Sequence, residues 1–540
     1  MIRPAGSSPL GLDFALAAAL AAVALALWLG SHSLGYVHGN DAYDYAQMGR
    51  EIAVGNGFAT RQIFPRHVPY YAKHGLLEAD TWPNLHRYPL PTIVDAMGFL
   101  AVGEPLRGAI AMNGVAYVLS VPVLFGLARR FTGSTLAFAL GLFFAADAPV
   151  RLSSYNGYTE ALAMLLTLGA LALVFRERLG LGACLAAGAL CGLAVLNRYQ
   201  SALLLPLLLG FVWFRSPKPA RMSHAATLIG ATLLVMLPWA LRDVAVVGQP
   251  FFSLSSTRSL LKGFGWDADM RLSIPVDLPS VLSRFGGAIA NKCVGCLQDK
   301  VTSVAEWTKM FRGSLYVGFL IFAAASLAWR SRERGDADLL KWGVVLFVVA
   351  NVALQCVSVD HSRLYVPLRP LLLLVAAVGL VQLAELLARS RGTSVWQGVV
   401  AAGLTVVALY DIAYGSFSIH RPEWGDQQAM SIENTTQSWC PFLDPDAIVV
   451  SDVSVRVSMY CGNRTVRLPT SPADLMVIDQ KYLTVDNLLF SPSAVEGKRR
   501  AGRRVPKAYV ASGFLRSEEF LARFEPVPGF SGPGALYRHR

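Results

Sequence analysis

Residues 13–58 read DFALAAALAAVALALWLGSHSLGYVHGNDAYDYAQMGREIAVGNGF. The first part, Asp13 to Leu34, is rich in Ala and Leu and long enough to cross a bilayer, which takes about 20 apolar residues. It is too long for a signal peptide and lacks a clear cleavage site, so it reads as an anchor. The second part is polar and opens on acids, Asp41 and Asp44. Tyr45, Met48, Ile52 and Ala53 then recur at helical spacing. This predicts an amphipathic helix along the membrane surface, ended by Gly55 and Gly57.

The rest of the chain extends that pattern. The 540 residues are 54% hydrophobic and only 16% charged, against about 25% charged in soluble domains. Ten more apolar segments follow, at about 108–128, 132–149, 161–175, 179–196, 200–214, 223–241, 314–329, 341–358, 364–387 and 396–414. With the first they predict about 11 transmembrane helices. Pro89 to Val102 is shorter and contains Asp95, so it reads as a half-buried or interfacial helix. Basic residues mark alternate loops: Arg3, then Arg129 and Arg130, Arg176 and Arg178, Arg215, Lys218 and Arg221, Arg330, Arg332 and Arg334, and Arg389 and Arg391. The positive-inside rule puts those loops in the cytoplasm. An odd number of spans then leaves the C-terminal region outside, on the face that holds 35–107, 243–313 and 415–540.

The expected organisation is a transmembrane domain over 1–414, with outer loops 35–107 and 243–313, and an extracytoplasmic C-terminal α/β domain over 415–540. Within that domain, AIVVSDVSVRVSMY, DLMVID and KAYVASGFL read as strand-like runs. The net charge of +12 follows the loops of a membrane protein and does not point to nucleic acid. Seven cysteines are too few for a disulfide scaffold. Cys293 and Cys296 form a CxxC read as a short disulfide, and Cys440 and Cys461 are expected to pair. Cys184, Cys191 and Cys356 lie within apolar runs and read as packing residues. No Cys/His spacing for zinc and no P-loop appears.

Several ionisable residues fall at the outer ends of apolar runs. Asp41 has two readings: it caps the surface helix, or its carboxylate accepts a proton from an acceptor hydroxyl or amine. Glu160 either complements a helix N-terminus or is a second acid facing Asp41. In that role it orients the acceptor or binds a divalent cation such as Mg or Mn. His86 and Arg87 in NLHRYPLPT, Arg198 in LNRYQ, Arg242 in LPWALRD, and His361 and Arg363 in DHSRLYVPLRP could each merely snorkel. Together they place cations where a phosphate leaving group needs neutralising.

The ordered set is an outer acid in D-x-x-x-Y, an amphipathic helix ending G-x-G-F, H-x-x-P, T-E at the start of a span, GLAVLNRY, LPWALRDVAVVGQPF and RLYVPLRPLL. Over residues 10–415 it resembles the GT-C superfamily of membrane glycosyltransferases. The similarity is greatest to the glycosyltransferase family 39-like branch, which includes protein mannosyltransferases and the lipid A aminoarabinose transferase. That resemblance implies transfer of a sugar from a polyprenyl-phosphate donor to a lipid, glycan or protein acceptor, usually with inversion. It implies a site on the periplasmic or lumenal side, and the Ala/Leu/Arg-rich composition, which reads as bacterial, makes that the outer face of a bacterial inner membrane. It places the catalytic acid on Asp41, with Asp44 in support, and the second acid on Glu160, where the family often has Asp. The phosphate-binding role falls on Arg87, with His86 as the alternative, since no lysine precedes the Pro. A lipid or glycan transporter, or a non-catalytic GT-C-like assembly partner, are the competing functions. Most charges sit at span ends and not at the midplane, which favours an enzyme over a transporter.

Overall fold

The computed structural model describes residues 10–30, 40–261, 268–303, 306, 314–327, 335–358, 362–387, 393–410, 434–496, 514–530, 532 and 534–540. The eleven apolar segments are helical over most of their described residues, with interruptions such as Gly133 and Asp147. Among the described residues, five helices are long and apolar enough to cross a membrane: Gly11–Gly30, Pro105–Thr132, Lys218–Val247, Gly335–Val357 and Arg363–Leu383. Others, such as Glu160–Val174 and Leu181–Asn197, are shorter. At 1.5 Å per residue they reach less far than the hydrocarbon core is thick. The segment expected as one span over 132–149 is broken. Ser134–Ala146 and Ala148–Tyr155 meet at a 52° bend, where Pro149 follows Asp147 and cannot continue the helical hydrogen-bond ladder.

Glycines set how closely the first elements stack. The helix Asn40–Ala53 rests on Pro89–Val102, and that helix rests on Pro105–Thr132. A Cβ on Gly49 would lie 2.9 Å from the Ala96 nitrogen, and one on Gly98 would lie 2.4 Å from the Gly108 oxygen. Only glycine permits such backbone-to-backbone crossings. They hold the N-terminus of Asn40–Ala53 beside the turn that precedes Pro89.

The bend at Asp147 is locked by a buried ion pair. Arg369 donates from Nε and Nη2 to the two Asp147 oxygens, both at 2.6 Å. Arg369 opens the helix Arg369–Leu387, directly after the 3₁₀ segment Ser362–Leu368. Replacing Arg369 with Ala breaks a buried bidentate ion pair, which costs about 3–5 kcal/mol. The expected result is a clear fall in the melting temperature of the detergent-solubilised protein, partly recovered by the Asp147→Arg/Arg369→Asp exchange. Equal melting of Arg369→Ala and wild type would remove the pair as a structural lock.

Residues 448–539 supply five strands of a six-stranded sheet. Its order is Gln62–Ile63, Arg464–Arg467, Ile448–Ser451, Asn487–Phe490, Ala535–His539, Phe524–Pro526. The first four pair in parallel, and Ala535–His539 is antiparallel to both of its neighbours, Asn487–Phe490 and Phe524–Pro526. The edge strand Gln62–Ile63 comes from the first polar loop, so one sheet joins distant parts of the chain. Arg50 and Arg61 add to this junction, donating to the carbonyls of Met459 and Gly462, both at 2.8 Å.

Two strand readings are corrected. After the strand Ile448–Ser451, Ser454–Tyr460 is helix, and DLMVID is helix over Pro472–Val477 continued by Ile478–Tyr482. The short alternating run VSVRVSMY fits either period. Burial of Ser454, Val455, Ser458 and Met459, which lie on one helical face, selects the helix over local β-propensity. The run KAYVASGFL lies mostly outside the described residues.

Cys440 and Cys461 are joined as expected. Cys293 and Cys296 are not. Cys296 pairs with Cys356, and Cys293 is free. The CxxC lies inside a helix, Leu278–Thr302, and successive positions there point 100° apart. Cys296 therefore faces the end of the Gly335–Val357 helix, where Cys356 is a bridge and not a packing residue.

Candidate active site

Asp41 and Asp44 stand three residues apart on Asn40–Ala53 and so share one helix face. The helix is stopped by Gly55 and Gly57, both left-handed with φ of 93° and 69°, a conformation that favours glycine. The partner of both acids comes from the turn before Pro89–Val102. Tyr88 is extended at the helix N-cap, as the residue before a proline prefers. Buried Asn84 shapes the turn: its Oδ1 accepts from the backbone N–H of His86 (3.1 Å) and Arg87 (3.0 Å).

Arg87 then bridges the two acids. Its Nε donates to Asp44 Oδ2 at 2.7 Å and its Nη2 to Asp41 Oδ1 at 2.8 Å. His86 Nε2 lies 3.2 Å from the same Asp44 oxygen. The second Asp41 oxygen accepts from Arg363 Nη2. Arg363 also approaches Glu160 at 3.9 Å and stacks over the Tyr158 ring at 4.4 Å. Arg198 pairs with Glu160 at 3.3 Å. Both Asp41 oxygens are thus taken by guanidinium groups.

These residues face one cavity. Asp41, His86, Arg87, Glu160, Arg198 and Arg363 line it, together with Tyr45, Tyr88, Tyr158, Thr159, Gln200, Ser255, Arg258, Ser259 and Leu364. Four arginines thus face two carboxylates. Asp44 is not among the lining residues and holds Arg87 from behind. Buried Asp269 does the same for Arg258, 2.5 Å from its Nε. The ligand-facing wall is therefore rich in guanidinium donors suited to phosphate oxygens.

Burial pushes the Asp41 carboxyl up, but the Arg87, Arg363 and Arg258 guanidiniums outweigh it and hold the carboxyl well below the usual carboxylate range. Burial likewise raises Asp44, and Arg87 and His86 bring it down on balance. Burial drives His67 well below the ordinary imidazole value, with His86 and Arg66 adding to the effect. Asp41 is therefore ionised, and its lone pairs are engaged.

Of the residues singled out from sequence, the cavity gathers Asp41, Glu160, Arg87, His86, Arg198 and Arg363, with Asp44 directly behind. Arg242 is not among the lining residues. It pairs with Asp243 at 2.9 Å, stacks over Trp239 at 4.8 Å and donates to the Phe58 carbonyl. His361 lies outside the described residues. Arg258, Tyr158, Asn84 and Asp269 were missed. Arg258 sits in SSTRSLL, a short helix with no motif inside a stretch that reads as polar loop, and its place becomes visible only through its contact with Asp269. Among the described residues, no group of three or more His, Cys, Asp or Glu side chains suited to a metal ion is found.

Residues 89–241 match the family model described as dolichyl-phosphate-mannose-protein mannosyltransferase. No curated protein sequence matches. ArnT from Cupriavidus metallidurans, solved bound to undecaprenyl phosphate, aligns with a TM-score of 0.55 at 14% identity, over 88% of this chain and 93% of that one. The Archaeoglobus fulgidus oligosaccharyltransferase, solved with Zn and sulfate, gives 0.57 at 12% identity, over 97% and 73%. The arabinofuranosyltransferase AftD from Mycobacteria gives 0.56 at 13% identity, over 100% of this chain and 40% of AftD.

Proposed function

This chain is a membrane protein with the GT-C glycosyltransferase fold, and we propose that it moves a sugar from a polyprenyl-phosphate donor to an acceptor in the Asp41 cavity. The observation that carries the reading is Asp41 itself: a carboxylate on the wall of a cavity, with both oxygens held by arginines that suit a phosphate. The ArnT structure with undecaprenyl phosphate supports a lipid-phosphate donor. The basic loops support placing the site on the extracytoplasmic face of the membrane.

The donor phosphate displaces Asp41 from Arg87 and Arg363, with Arg258 and Arg198 at the same wall. Freed of its ion pairs, Asp41 becomes a stronger base. It takes the proton of the acceptor hydroxyl or amine as that group attacks the anomeric carbon. The bond from that carbon to the phosphate oxygen breaks, and polyprenyl phosphate leaves with the electron pair. The guanidiniums stabilise the charge gathering on it. Glu160 orients Arg198 and Arg363, while Asp44 and His86 orient Arg87.

Reconstitution of the purified protein with a panel of polyprenyl-phosphate pentoses and hexoses tests this. The expected result is acceptor-dependent release of polyprenyl phosphate from at least one donor. Lipid movement across the bilayer with no product from any donor would replace the enzyme with a transporter. Mass spectrometry of the glycolipids and glycans of a deletion strain would then name the sugar and the acceptor.

A further inference from the structure

The helix Leu278–Thr302, in a region that reads as a polar loop, presents three faces. Val281 and Ile289 are buried and pack with Leu261, Ala268 and Ile274. Leu261 ends the short helix Ser255–Leu261, which carries Arg258 into the cavity. A second face is mostly apolar and open: Leu282 is 46%, Val294 64% and Leu297 42% exposed, Ala290 is exposed beside them, and Ser283 is the polar residue in the same sector. At about 100° per residue the four apolar residues fall in one sector of roughly 120°. A third face carries exposed Arg284, Asn291 and Gln298, on the far side of the apolar sector.

The helix is tethered at a defined height. Cys296 is bonded to Cys356, and Lys292 donates to the Ser358 carbonyl at 2.7 Å and the Leu260 carbonyl at 3.0 Å. Cys356 and Ser358 mark the cavity-side end of Gly335–Val357, one of the five membrane-length helices. The apolar stripe is therefore held where a span meets water. A large open stripe of this kind marks an interaction surface, and the level of the tether makes the bilayer its occupant.

We propose that Leu278–Thr302 is a membrane-surface helix, with Leu282, Ala290, Val294 and Leu297 immersed in the leaflet nearest the cavity. An apolar face in lipid with a polar face in water is the arrangement that holds an amphipathic helix in the interface plane. Arg284, Asn291 and Gln298 stay in water. Through Val281 and Ile289 the lipid-seated helix also steadies the Arg258 helix.

Photo-crosslinking of the full chain in phosphatidylethanolamine–phosphatidylglycerol vesicles tests the assignment. Leu282, Val294 and Leu297 are replaced singly by benzoylphenylalanine, and Arg284, Asn291 and Gln298 likewise. Intact-mass analysis after irradiation is expected to show lipid adducts at the three apolar positions, at least fivefold above the three polar ones. Equal yields on both faces, or no lipid adduct at the apolar positions, overturn the proposal. An adduct joining two copies, or one closed within the chain, also overturns it, because protein would then cover the stripe.

Discussion

Asp41→Asn is expected to lower sugar transfer about 10²–10⁴-fold, the contribution typical of a positioned general base. Asn keeps the shape and one acceptor oxygen, so the helix Asn40–Ala53 stays in place. The charge that competes with phosphate for Arg87 and Arg363 is gone. The loss should therefore fall on kcat, with the donor KM unchanged or lower. A raised KM at wild-type kcat would make Asp41 a binding residue and end its role as base.

The same geometry sets a pH signature. In the free protein the arginines hold the Asp41 carboxyl well below the ordinary range. An arriving phosphate draws those guanidiniums away and adds negative charge, and both effects raise the carboxyl pKa. A base is active only when deprotonated. The acidic limb of kcat, which reports the donor complex, is therefore expected at higher pH than that of kcat/KM, which reports the free enzyme. Coincident limbs would mean that Asp41 keeps its arginine partners throughout turnover.

Arg363→Ala carries the second large effect. Arg363 reaches Asp41 and Glu160 at once, and a charge-assisted contact contributes about 1.5–3 kcal/mol. The donor KM is expected to rise roughly tenfold to a hundredfold. Arg363→Lys should recover part of the loss, because lysine keeps the charge but not the planar fork. Without Arg363 the Asp41 carboxyl is held down less firmly, so the acidic limb of kcat/KM should move to higher pH. An unchanged donor KM in Arg363→Ala would take Arg363 out of the phosphate clamp.

The separate ingredients of this site were legible along the chain. Asp41, Glu160, Arg87, Arg198 and Arg363 each lie where an apolar run gives way to polar residues. Arg242 carries the same local signature, yet its guanidinium is spent on Asp243 and Trp239. Nothing in LPWALRD separates it from Arg198 in LNRYQ. Arg258 had no signature at all, because the seven-residue helix that carries it is too short to show a period and holds no motif, and only Asp269 fixes its guanidinium. The CxxC misled for a related reason: spacing alone does not say that residues 278–302 coil, and the coil turns Cys296 toward Cys356.

What the sequence determined by itself was solvent and placement. Hydropathy summed over some 20 residues is insensitive to rotation, so it revealed which stretches suit lipid and which acids and cations lie at their ends. Tertiary structure decided which of those charges meet. That choice depends on helix phase, where one residue is about 100° of turn, and on the crossings at Gly49, Gly98 and Gly108 that let backbones touch. Both are set by contacts between residues far apart in the chain, such as Asp41 and Arg363, which no local pattern encodes.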